Sequence, residues 1–214
     1  MTRTPFVFTR FFTAFAKTPN KIALFTFAFC APPALSAFCC ALVVDVSLPR
    51  LHQLTLANQD ILGDIEPALK SAIQEDSEQF DRVIQARLLR DREKDTVKKR
   101  QLSEKALNEL RIATEIPIRI AETCLALAEK AMLVFDLGYK AARGDSGVAI
   151  SAAIAAASGC VSIIYLTSFR GGEWAVRTRE KADELSRRTQ DLQIQLVERI
   201  GHLQQEVIKR EDQS

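Results

Sequence analysis

From residue 52 onward, apolar positions recur at three- and four-residue intervals, the spacing that lines them along one side of an α-helix. Ile61, Ile65, Leu69, Ile73, Phe80 and Val83 form the first such stripe. The spacing predicts a second helix running roughly from Asp95 to Thr114, with Leu102, Ala106, Leu110 and Ala113 inward. Pro117 falls near the start of a third helix, where its missing N–H costs little, and Ala121, Cys124, Ala128, Met132, Phe135 and Tyr139 lie on that helix's stripe. Gly138, Gly144 and Gly147 bracket a loop ending in Asp145-Ser146, and either residue suits the cap of the helix that follows. Gly171-Gly172 closes that helix. A long final helix carries Leu185, Thr189, Leu192, Leu196, Leu203 and Val207 near heptad spacing, which serves equally to dock along a bundle or to pair with a second copy. No β-type alternation competes. The expected fold is all-α: a helical bundle with long amphipathic helices and a buried Ala-rich helix.

That Ala-rich helix is the uncharged stretch from Ser146 to Phe169. A helix apolar all round is buried in protein or in lipid. Its scarcity of Leu and Phe lowers the transfer energy into a bilayer, so the central helix of a bundle is the simpler reading. A second uncharged stretch, Ile22 to Val44, follows positive residues and has the outline of a signal peptide or membrane anchor. Pro32-Pro33 sits near its middle, where a helix in water would break. Membrane contact through residues 22–44 is therefore an alternative, beside a cytoplasmic location for the whole chain.

Composition divides the chain at the same place. Nine of the twelve Phe lie in the first 38 residues, and all eight Gly lie at position 63 or later. Residues 1–50 form an atypical hydrophobic segment of net charge +4, and residues 51–214 a helical domain of net charge −2. At 214 residues, with 47 % hydrophobic and 26 % charged side chains, the chain is long and apolar enough to bury a core. The near-neutral body argues against nucleic acid, because the Lys98-Lys99-Arg100 run is bracketed by Glu93, Asp95 and Glu104. Five Cys carry no metal-ligand spacing, so neither a disulfide scaffold nor a metal site is expected.

Candidate chemistry lies where polar groups interrupt the pattern. Asp76 stands three after Ile73 and four before Phe80, where the inward stripe calls for a hydrophobe. An unpaired buried carboxylate is costly, so Asp76 is paired, kept at a cleft mouth, functional, or at the wet edge of a wide stripe. Asp145 reads as a helix cap or as a ligand-collecting group beside the free N–H groups of a first turn. His52 and His202 are not placed together, and His202 is expected to face solvent. All five cysteines, Cys30, Cys39, Cys40, Cys124 and Cys160, read as small apolar fillers. Carboxylates remain as the chemical candidates.

EDSEQFDRV (75–83), ATEIPIRIAE (113–122) and GYKAARGDSGVAISAA (138–153) together resemble the formimino-tetrahydrofolate cyclodeaminase / methenyl-tetrahydrofolate cyclohydrolase family, over about residues 55–185. The resemblance implies a soluble, all-helical homodimer that binds a folate between helices, with a tetrahydrofolate derivative as substrate and no prosthetic group. It implies catalytic roles for Asp76, which matches the Asp of the family's D-x-x-x-F pattern, and Asp145, which matches the Asp of its S-D-x-G-V pattern, and binding roles for Ser146, Gly147 and Lys140. Members either close 5-formimino-tetrahydrofolate to the 5,10-methenyl form with loss of ammonia, or hydrolyse the methenyl form to 10-formyl-tetrahydrofolate. With no formiminotransferase portion in the chain, the hydrolysis is the expectation.

The departures from the pattern are specific. Tyr139 and Ala141 stand where the family has Asn, Gly144 where it has Ser, and Ile163 and Thr167 where further Asn are found. Arg50, His52 and Gln53 fall near the family's Lys-Lys-Tyr element without matching it. In place of P-T-P-G-G-G-S the chain reads CAPPALSAFCCALVV (30–44), and Ala34 and Leu35 cannot take left-handed glycine geometry at the same cost. Two explanations stand: a catalytically inactive relative that kept the helical dimer, or a reading-frame or start-site artefact over the first helices.

Overall fold

Five α-helices make up the bundle, the first two one continuous run through a π-helical turn and each later helix antiparallel to the one before it, and every element among the described residues is helical. The computed structural model describes residues 48–169 and 172–211, with side chains from His52 onward except those at 207, 210 and 211. The uncharged stretch 22–44, with Cys30, Cys39 and Cys40, lies outside the described residues, as does Gly171. The order is α1 (Leu48–Asp60), a π-helical turn (Ile61–Ile65), α2 (Glu66–Arg92), α3 (Thr96–Leu137), a 3-10 turn (Lys140–Ala142), α4 (Arg143–Thr167) and α5 (Glu173–Glu211).

Ion pairs between helices give the register. Asp60 with Lys130 at 2.5 Å and Glu75 with Arg119 at 2.6 Å lay the continuous run of α1, the π turn and α2 antiparallel to α3. Lys181 with Glu122, Arg188 with Glu129 and Arg199 with Asp136, at 2.7–3.0 Å, lay α5 parallel to α3. Between them runs α4, antiparallel to both. The core joins Ile61, Ile65 and Leu69 to Cys124, Leu125, Ala128 and Phe135 of α3, to Ile150, Ala153, Ala157 and Ile164 of α4, and to Leu185 and Leu192 of α5. Each fully buried Leu or Ile among them contributes about 1.5–3 kcal/mol.

The alanines of α4 have a packing reason: Ala149, Ala153, Ala156 and Ala157 are buried, and short side chains let α3 and α5 approach. By length and composition the stretch Lys140–Thr167 could cross a bilayer, yet half of its apolar window is buried inside the bundle. The face turned out carries Ser151, Ala155, Ser158, Gly159 and Ser162.

Four expectations are corrected. Pro117 does not open a helix; it is buried in the interior of the 42-residue α3. The break expected at Thr114 fails because Ile116, Ile118 and Ile120 are all buried across it, so packing holds the helix through the lost hydrogen bond. Phe80 is 53 % exposed and Gln79 takes the inward place at 3 %, its amide donating to the Glu109 main-chain oxygen and Oε2 at 3.1 and 2.9 Å. Tyr139 lies past the end of α3 and is also exposed.

The remaining correction concerns the turns. Asp145 and Ser146 do not cap α4, which begins at Arg143, so both lie within its first turns. α4 ends at Thr167, and Gly172, at φ +115°, precedes α5, its carbonyl accepting from the Val176 N–H at 3.2 Å. Only glycine takes that backbone angle readily. Gly138 is required for another reason, since a Cβ there would stand 2.5 Å from the Val134 carbonyl oxygen. Asp95 caps α3 as its position suggests, accepting from Val97 and Lys98 N–H at 2.8 and 3.0 Å.

Candidate functional site

Asp76 sits near the middle of α2, on the side where the helix turns from the core toward solvent. Glu75 beside it is taken up by Arg119. Asp76 itself is half-buried and makes no hydrogen bond or ion pair among the described residues. Burial raises its pKa, because a carboxylate held away from water is harder to ionise. Its charge reaches the Cys160 thiol of α4. Such a group holds a proton more readily than an exposed, ordinary carboxylate does, which suits it to proton transfer.

The thiols are not competing nucleophiles. Cys124 and Cys160 are buried and free, as the filler reading expects. Burial pushes the Cys124 thiol up to about 12, and raises Cys160 as well, with smaller contributions from Cys124 and Asp76. Both stay protonated and inert. His52 and His202 are exposed on different helices. Among the described residues no cluster of three or more His, Cys, Asp or Glu could hold a metal ion.

Asp145 is the third residue of α4 and exposed, in the helix's first turn, where the Arg143 N–H already donates to the Lys140 carbonyl. Lys140, in the preceding 3-10 turn, is exposed too. Ser146 and Gly147 face the other way. Ser146 is 2 % exposed, its hydroxyl donating to the Ala142 carbonyl at 3.4 Å, and Gly147 is buried against the Phe135 ring.

Within one chain, Asp76 and Asp145 are not brought together. Cys160, which feels the Asp76 charge, lies fifteen residues along α4 from Asp145, or about 22 Å at the rise of a helix. Two hollows lie elsewhere: one is lined by Tyr165, Glu180, Asp183, Ser186 and Arg187, the other by Ile200, Leu203, Gln204 and Ile208. Neither includes either aspartate.

Three features escape the pattern of apolar spacing. The buried Gln79–Glu109 contact has the look of an ordinary polar surface position in sequence. Arg143 joins three elements: its guanidinium lies 5.8 Å from the Phe135 ring centre, pairs with Glu206 at 3.1 Å, and leaves its buried Nε without a partner. The π-helical turn is hidden because Ile61 and Ile65 keep a four-residue interval. Beside it, the buried Oδ1 of Asn58 has no hydrogen-bond partner, and such turns recur at functional places in helices.

A comparison with curated proteins gives no match. The family model described as formiminotransferase-cyclodeaminase matches residues 34–192. That span takes in all of α1 to α4, both aspartates and half of α5, together with residues 34–47 that precede the described helices. The match links the chain to folate one-carbon metabolism, and over that length it makes the chain a member of the formiminotransferase-cyclodeaminase family.

Proposed function

We propose that the protein is a folate one-carbon enzyme, cytoplasmic and homodimeric, that hydrolyses 5,10-methenyl-tetrahydrofolate to 10-formyl-tetrahydrofolate. The observation that carries this reading is Asp76: within the matched span it is a half-buried carboxylate, unpartnered among the described residues, with a raised pKa. In the proposed step, ionised Asp76 accepts a proton as water adds to the cationic methenyl carbon. The tetrahedral carbon then collapses, the bond to N5 breaks, and Asp76 returns its proton to N5. The hydroxyl proton goes to solvent, so one proton is released overall. Catalysis of this kind contributes on the order of 10²–10⁴-fold.

Asp145, Lys140 and the first-turn N–H groups of α4 have a different place in this reading. A folate is a long molecule, with its pteridine and its glutamate carboxylates at opposite ends. The α4 end offers positive partial charge and a lysine to the anionic tail, while Asp76 serves the reacting carbon. Ser146 and Gly147 then act by seating α4 on Phe135.

Loss of methenyl absorbance, followed for the purified protein and for D76N, tests the proposal. Equal rates for the two would remove Asp76 from the mechanism. Ammonia released from 5-formimino-tetrahydrofolate would assign the cyclodeaminase reaction instead. A second reading, an inactive helical dimer of the family, draws on the separation of the two aspartates and the burial of Ser146 and Gly147. A heat signal on titration with micromolar tetrahydrofolate would count against it.

A further inference from the structure

The hairpin of α2 and α3 runs past the rest of the bundle. α5 begins at the level of Arg111, whose guanidinium lies 5.7 Å from the Trp174 ring centre, and α4 has already ended at Thr167. The part of α3 from Thr96 to Leu110, about 22 Å of helix, therefore extends beyond both, beside α2. Val83, Ala86 and Ala106 are the apolar side chains buried along it, enough to join two helices without making a core. Its outer end is blunt, and nothing among the described residues walls a groove there.

This end is also the basic end. Residues 84–105 carry eight basic and four acidic side chains, and the rest of 51–214 carries sixteen basic and twenty-two acidic, so a tip of net charge +4 stands on a body of −6. The four carboxylates are engaged locally. Asp91 pairs with Arg90 at 2.8 Å, Glu104 faces Arg100 at 3.9 Å, Glu93 accepts from the Lys94 and Asp95 N–H at 2.8 and 3.0 Å, and Asp95 caps α3. Arg87, Arg92, Lys94, Lys98, Lys99 and Lys105 take part in no ion pair among the described residues, and all but the half-buried Arg87 are exposed. Beyond its bond to Arg90, the Asp91 carboxyl is held below its ordinary range by Lys99 and Arg87 as well, so cations of both helices surround one point. Apolar side chains stand among them: Leu89 is 52 % and Val97 68 % exposed.

We infer that the tip of the α2–α3 hairpin docks on an anionic lipid bilayer, its lysines and arginines meeting the headgroups while Leu89 and Val97 enter the interface. Clustered cations supply the attraction to anionic lipid. Exposed apolar side chains beside them gain from the headgroup boundary and gain nothing from a phosphate backbone, which favours a bilayer over nucleic acid. A blunt end suits a flat surface, and the acidic body is repelled from it, so the molecule stands on its tip. The inference is independent of the folate reaction and needs no substrate to test.

Cosedimentation of the full-length protein with vesicles is the test. Vesicles of phosphatidylserine with phosphatidylcholine are expected to bind it more tightly than phosphatidylcholine alone, and the difference to fade as salt rises. Any contact made by residues 22–44 is common to both vesicles, so the difference reports the tip. Lys98→Glu with Lys99→Glu is expected to weaken the anionic binding roughly tenfold or more, with unchanged helical circular dichroism because both side chains are exposed. Arg187→Glu with Lys209→Glu, the same charge change on α5, is expected to leave most of it. Val97→Asp keeps a residue suited to the first turn of a helix, and is expected to weaken vesicle binding several-fold. Equal binding to the two vesicles overturns the inference, as does an anionic preference that the Lys98 and Lys99 changes leave intact or that the α5 changes remove equally. Indifference to vesicles with retention on duplex DNA through Lys98 and Lys99 overturns it too, making the tip a nucleic-acid contact.

Discussion

Asp76 and Asp145 carry the same side chain in opposite surroundings. Asp76 lies in mid-helix, half-buried, without a partner among the described residues, and its ionised form is disfavoured. Asp145 lies in the first turn of α4, where water and the helix N-terminus both favour a negative charge. The first arrangement costs stability and equips a carboxylate for proton transfer. The second supports the helix. In the proposed function these surroundings divide the labour, Asp76 serving the reaction and Asp145 the anchorage.

The largest expected effect is on the frame that supports the Asp145 end. Phe135 is buried, receives Gly147 of α4 and lies under the Arg143 guanidinium. Phe135→Ala should destabilise the fold by about 3–5 kcal/mol, measured by chemical denaturation. If the loss is near zero, the α3–α4 contact at this end is not a packing contact. Next is the rate: D76N should lower turnover of the methenyl substrate by about 10² or more with KM little changed. A loss confined to KM would make Asp76 a binding group and erase the contrast with Asp145.

A smaller effect is expected in the pH dependence of stability. Because burial raises the Asp76 pKa, the native state holds its proton to higher pH than the unfolded chain does. Stability attributable to this group is therefore full below the ordinary carboxylate range and is lost as pH rises through the raised value. D76N should match the wild type in acid and exceed it at neutral pH, seen as a higher Tm. The opposite order would mean that ionised Asp76 is held by a favourable partner. The smallest effect belongs to D145N, which removes a first-turn charge and should cost about 0.3–1 kcal/mol. A much larger loss would show Asp145 to be a structural keystone instead of an exposed group.

Much of the architecture follows from local sequence. Helix spacing identified the stripe through Ile61, Ile65, Leu69 and Val83, the α3 stripe from Ala121 to Phe135, and the inward face of α5 through Leu196, because burying one side of a helix requires apolar residues at that period. The start of α3 near Asp95 and the Ala-rich α4 are read for equally local reasons, the onset of apolar spacing and a run of small side chains. Asp76 stood out because it breaks a stripe. The family patterns added the residues that spacing alone would pass over.

What local sequence could not supply is the level at which one helix meets another. Pro117 is a helix breaker by itself, and only the burial of Ile116, Ile118 and Ile120 on either side carries α3 through it. Phe80 and Gln79 are one residue apart, and the choice of which points inward depended on Glu109 of α3 standing opposite Gln79. Asp76 and Asp145 are neighbours in a motif list, yet the antiparallel register of α2, α3 and α4 sets them at different levels of the bundle. Periodicity states which side of a helix is buried; the register between helices, settled by side chains distant in sequence, decides which polar groups share a place.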